Sequence, residues 1–148
     1  MTEEFFFLDT NVVSHLRAEH IASPFFLERC LIPAEVFHES DGRAELRPIV
    51  YAVTEAVLTA LGDVMASLEP GDLSLINLYR NAGNADPMLV ACALVETRKA
   101  EHMLVAPTFV VVSHDGAVRD KCRDFGIPSM ARGDFLARMA SENQTKDR

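Results

Sequence analysis

Two apolar runs constrain what this chain can fold into. "FFFL" at 5–8 ends directly on Asp9, and the β-branched "TFVVVSH" at 108–114 ends directly on Asp115. Runs of this length and composition read as buried strands. A buried strand normally gives way to a turn of Gly, Asn or Pro. These two deliver carboxylates instead, and a helical pattern resumes after each.

The rest of the chain alternates in the same manner. A helix is expected near 10–19, an extended "CLI" at 30–32, and a helix near 33–40 with Pro33 in its first turn. Residues 48–68 read as one long helix and 73–82 as a further short one. Residues 86–102 read as a central buried helix, apolar nearly all round in its first half. "AVRDKCRDF" is helical, "IPSM" a short strand and "GDFLARMAS" a last helix. Strands separated by helical segments predict an α/β fold layered on a parallel sheet. Ligands of such sheets bind beyond the carboxyl ends of the strands, so parallel strands would bring Asp9 and Asp115 to one edge. No repeat or linker interrupts the pattern. The expected organisation is a single domain over 1–140, followed by a polar tail at 141–148 that frays.

Composition narrows the function classes. Apolar content of 49% and charged content of 24% are those of an ordinary soluble protein. The three cysteines, Cys30, Cys92 and Cys122, form no CxxC pair, which argues against a disulfide framework or zinc site and fits a reducing cytosol. "MTEEFFFLD" has acids where a signal peptide needs bases, and the longest uncharged apolar run, "MLVACALV", is far shorter than a membrane span. A cytoplasmic domain with no membrane partner is expected. The net charge of −8, from 14 basic and 22 acidic residues, speaks by itself against nucleic acid. That inference weakens if the acids are gathered to hold divalent cations, each contributing two positive charges where substrate sits.

Each acid alone has an ordinary explanation. Asp9 and Thr10 suit a helix N-cap, Asp86 before Pro87 is common helix-start chemistry, and Asp115–Gly116 is a common turn pair. Glu35 and Glu39 stand one turn apart and read as surface charge. The joint pattern says more. Three aspartates start helices, two of them directly off buried strands, and a helix glutamate approaches the same edge. Such a cluster repels itself unless cations lie within it, and an all-oxygen site suits Mg²⁺ or Mn²⁺. Ions of this kind activate water and stabilise the leaving oxygen of a phosphodiester.

The same residues resemble the PIN-domain family. "FFFLDTNVVSHL" is similar to that family's opening: an apolar strand, Asp-Thr-Asn, then an apolar helix. "IPAEVFHES" is similar to its second segment, with Pro33 and Val36 framing Glu39. "GNADPMLVACAL" resembles the third, an aspartate (Asp86) opening a small-residue-rich helix. "FVVVSHDGAV" resembles the fourth, with Ser113 where Thr is more usual and Asp115 two residues on. The resemblance implies a three-layer α/β/α fold and a metal-dependent endoribonuclease. Asp9, Glu39, Asp86 and Asp115 would hold one or two Mg²⁺ or Mn²⁺ ions, with Glu35 the alternative second acid. A water activated there would attack phosphorus, leaving 5′-phosphate and 3′-hydroxyl ends. Thr10, Asn11 and Ser113 would orient carboxylates or water. Many small members are toxins of type II toxin–antitoxin pairs, so the resemblance further implies an RNA substrate, an antitoxin protein and a homodimer.

Other chemistries fit less well. "SHD" at 113–115 cannot converge as a catalytic triad, because neighbours on a strand face opposite ways. The histidines show no metal spacing, the cysteines no activating partner, and no GxxxxGK[ST] or GxGxxG is present. A haloacid-dehalogenase-like phosphotransferase would need a second aspartate where Asn11 stands. A catalytically inactive PIN-like module binding RNA or protein would have no reason to keep a repulsive acidic cluster.

Overall fold

A computed structural model of the chain describes residues 3–41, 43–68 and 85–146. Five strands form one sheet: β1 (Glu4–Leu8), β2 (Cys30–Pro33), β3 (Val50–Tyr51), β4 (Thr108–Val112) and β5 (Ser129–Met130). Their order is β3-β2-β1-β4-β5, and every pairing is parallel. The chain therefore builds outward from β1 to β3, then returns to the other side of β1 to add β4 and β5. The β1/β4 junction, in register from Glu4↔Thr108 to Leu8↔Val112, is the point where strand order reverses.

Helices cover both faces, giving the α/β/α layering expected. On one side lie α5 (Glu55–Ala66), α6 (Ala85–Ala100) and α7 (Gly116–Asp124), whose Val57, Leu89, Val118 and Cys122 pack against Phe7 and Val111 of the sheet. On the other lie α1 (Thr10–Ser14), α2 (Ala18–Ile21), α3 (Pro24–Arg29), α4 (Ala34–Glu39) and α8 (Arg132–Lys146). Their Val12, Ile21, Phe26, Val36 and Phe135 pack against Phe6, Leu8, Val110 and Val112. Successive side chains of β1 thus enter opposite cores, which is why the strand reads as an unbroken apolar run rather than an alternating one. The ring of Phe6 tilts against Phe25 and Phe135 at centroid distances of 5.6 and 5.5 Å, joining α3 and α8 to the central strand.

Several elements differ from the sequence reading. The long helix expected over 48–68 is three elements: a 3₁₀ turn (Ala44–Ile49) containing Pro48, strand β3, and α5 from Glu55. Proline suits the short 3₁₀ turn, and Val50 and Tyr51 pair with Ile32 and Pro33 of β2. Thr54 caps α5, its Oγ1 accepting from the Val57 N–H at 3.3 Å. The helix expected near 10–19 is α1 and α2, broken between them, and α3 was not foreseen. Helix α8 continues through 141–146, the stretch assigned to a tail, with Arg138 pairing to Glu142 at 3.0 Å one turn on. The short helix expected at 73–82 lies outside the described residues. Among the described residues no helix is long and apolar enough to cross a membrane.

Candidate functional site at the carboxyl edge

The β1/β4 junction carries the polar residues that end these strands. Asp9 leaves β1 with its own N–H bonded to the Val112 carbonyl, so it stays in the sheet while its side chain turns over the edge. It is the N-cap of α1. One carboxylate oxygen accepts from the Val12 N–H at 2.8 Å and the other from the His114 N–H at 3.3 Å. Asp9 is only 4% exposed, yet no Lys, Arg or His among the described residues pairs with it. A buried carboxylate held by two backbone N–H groups and no cation is costly, and its remaining lone pairs are free to accept more.

Asp115 closes the neighbouring strand. It is the N-cap of α7, its Oδ1 accepting from the Ala117 N–H at 2.8 Å, and its own N–H donates to Ser113 Oγ at 3.1 Å. Ser113 is fully buried and bonds through its N–H to Met130 of β5, which fixes the strand end on both sides. Ser113 Oγ thus ties the end of β4 to the backbone of Asp115 at the start of α7.

Glu39 arrives from α4. Thr10 Oγ1 donates to Glu39 Oε2 at 2.6 Å across 29 positions of sequence, a charge-assisted bond that ties the second acid to the residue after Asp9. Glu35 stands one turn earlier on α4. Its Oε2 is buried without a hydrogen-bond partner among the described residues, and its charge acts on Cys92 of α6. Asp86 is in the first turn of α6, and its side chain lies outside the described residues.

Asn11 bonds away from the acids. Its Oδ1 accepts from the Arg132 guanidinium at the start of α8, and its carbonyl faces His15 Nδ1 at 2.8 Å. Sequence reasoning did not find Arg132, and no local signal could have supplied it, because the two residues are 121 positions apart. His114 contributes its backbone N–H to Asp9, while its ring is exposed.

The thiols take no part at this edge. All three cysteines are free and buried. Burial pushes the Cys30 thiol far up, and Cys122 up to about 12. Burial, then the charges of Glu35 and Glu96, push Cys92 up to about 12 as well. Thiols so raised are protonated and unreactive at neutral pH.

A hard divalent cation suits the donors at this edge. Asp9, Glu39 and Asp115 offer only oxygen, and none of their hydrogen bonds uses up both lone pairs of an oxygen. Among the described residues no three His, Cys, Asp or Glu side chains stand close enough together to hold an ion. No family model matches the chain, and no curated protein matches it.

Proposed function

We propose that this protein is a PIN-like, metal-dependent endoribonuclease acting at the carboxyl edge of β1 and β4. The observation that carries this reading is Asp9: a buried carboxylate with no cationic partner among the described residues, at the point where strand order reverses, with Asp115 following the adjoining strand. Asp9, Glu39 and Asp115, joined by Asp86 from the first turn of α6, would hold one or two Mg²⁺ or Mn²⁺ ions. Bound there, such an ion supplies Lewis acidity toward a phosphodiester and a water of lowered pKa. The chain's own residues do the positioning. The Val12 and His114 N–H groups fix the plane of the Asp9 carboxylate, and Thr10 orients Glu39. Ser113 and the Ala117 N–H orient Asp115. The Thr10 bond favours Glu39 over Glu35 as the second acid.

A role as the toxin of a toxin–antitoxin pair, working in the cytoplasm as a homodimer under an antitoxin, follows from the resemblance. Met103, Leu104 and Val105, exposed together after α6, supply surface of the kind a protein partner covers. A module that binds RNA without cutting it is the second reading.

Incubating the protein with structured RNAs in Mn²⁺, Mg²⁺ or EDTA separates the two. The nuclease reading expects cleavage with metal, none with EDTA, and products bearing 5′-phosphates. Binding without cleavage under every metal supports the second reading.

A further inference from the structure

An acidic protein must bring cations to the place where it meets a polyanion, and the arginines here divide in a way that shows which ones. Arg17, Arg29, Arg43, Arg98, Arg123 and Arg138 each pair with a glutamate or aspartate. Arg47 lies over the Phe37 ring, 6.0 Å from its centroid. Arg47, Arg119 and Arg132 form no ion pair among the described residues, and of these Arg119 and Arg132 lie in the first turns of the helices that follow β4 and β5.

Arg132 begins α8 directly after β5, the strand beside β4, and reaches back to donate to Asn11 Oδ1 two residues beyond Asp9. Arg119 lies one turn after Asp115 on α7. Its guanidinium folds back to the start of that helix, 3.7 Å from where a side chain on Gly116 would begin. The two helices occupy opposite layers, Val118 packing in one core and Phe135 in the other. The two guanidinium groups therefore belong to opposite layers of the sheet, Arg119 beside Gly116, the residue after Asp115, and Arg132 on Asn11, two residues beyond Asp9. One donor of Arg132 is spent on Asn11, which steadies the side chain, and the others remain. A guanidinium fork matches a phosphate with two parallel hydrogen bonds.

We propose that Arg132 and Arg119 grip the phosphates on either side of the scissile one, so that the RNA strand crosses the sheet edge from the α8 layer to the α7 layer. This rests on the nuclease reading above. Asn11 is then a positioning residue for Arg132.

The test is steady-state cleavage of a fluorescein-labelled single-stranded RNA in Mn²⁺ over a range of KCl. For Arg132→Ala and Arg119→Ala the proposal expects KM to rise roughly 3- to 10-fold, the effect of one partly exposed charged contact, with kcat nearly unchanged. The slope of log(kcat/KM) against log[salt] should become shallower by about 0.7 for each arginine removed, as for one single-strand phosphate contact. Arg132→Lys should keep the slope while losing part of the affinity, and Arg47→Ala should change neither. Arg132→Gln, which can still donate to Asn11, serves if the alanine variant melts early. Wild-type cleavage with KM and salt slope unmoved in both alanine variants overturns the grip and leaves the nuclease reading standing. Absence of any metal-dependent cleavage by the wild type overturns the nuclease reading and the grip with it.

Discussion

Thr10 donates its hydroxyl proton to Glu39 at 2.6 Å, joining the first residue of α1 to the last residue of α4. Asp9 and Glu39, from distant segments, are thereby set relative to one another by the fold itself. Thr10→Val keeps the shape and removes the donor. It should cost about 1 kcal/mol in urea unfolding, the net worth of one such hydrogen bond. It should also lower Mn²⁺-dependent cleavage by about 10- to 100-fold, as loss of an orienting partner does at metal sites. Thr10→Ser should recover most of both. Equal cleavage by Thr10→Val and wild type would remove Thr10 from the account.

The same bond is the ground for proposing Glu39 over Glu35 as the second acid of α4. Glu39→Gln should reduce cleavage to background, whereas Glu35→Gln should retain it within about threefold, because the Thr10 hydroxyl holds Glu39 beside Asp9. Rates measured side by side in Mn²⁺ check this. The reverse order would make Glu35 the second acid.

Raised thiols make the protein sensitive to alkali. A thiol whose folded pKa lies above its unfolded value of 9.0 adds stability that is fully present below that value and is lost as pH climbs toward the folded value. That value is about 12 for Cys92 and Cys122. Urea unfolding should therefore show stability falling by at least about 1 kcal/mol between about pH 9 and pH 11. The thiols should also resist a thiol-specific dye at about pH 8 until urea unfolds the chain. A flat alkaline limb together with rapid labelling of the native protein would contradict their burial.

Arg138 fastens α8 to the sheet, bonding Glu4 at 2.7 Å and Glu142 at 3.0 Å while its guanidinium lies over Phe6. These carboxylates hold its pKa above the ordinary arginine value. The side chain is 38% exposed, so Arg138→Ala should cost only about 0.5–1 kcal/mol. Phe6→Ala, which empties a fully buried site between Phe25 and Phe135, should cost about 3–5 kcal/mol. Chemical denaturation of the two variants should preserve that order.

The sheet and the positions of its acids were legible because local composition carried them. Phe5 to Leu8 and Thr108 to Val112 are buried on both faces, so their runs stand out, and an aspartate that ends such a run can be found by eye. Strand β3 was not legible. Two residues leave no periodicity, and Val50 and Tyr51 are extended because β2 offers them partners and the Tyr51 ring meets Phe7 edge-on at 5.2 Å. Tyr51 then donates to Glu96 of α6, a contact spanning 45 positions. Arg132 and Arg119 were missed for the same physical reason. Their meaning lies in where the fold brings a guanidinium, and a lone arginine in a helical segment has no signature of its own. The bond from Arg132 to the Asn11 amide oxygen, 121 positions away, had no local signal either.

The central claim is that the carboxylate of Asp9 is needed for chemistry and not merely for capping α1. Asp9→Asn preserves a side-chain oxygen able to accept the Val12 N–H while removing the charge. The most direct measurement is the Mn²⁺-dependent cleavage rate of this variant beside wild type, with circular dichroism establishing that both are folded. Our account predicts cleavage by wild type that EDTA abolishes, and none above background by the folded variant. Equal cleavage by the two proteins would contradict it.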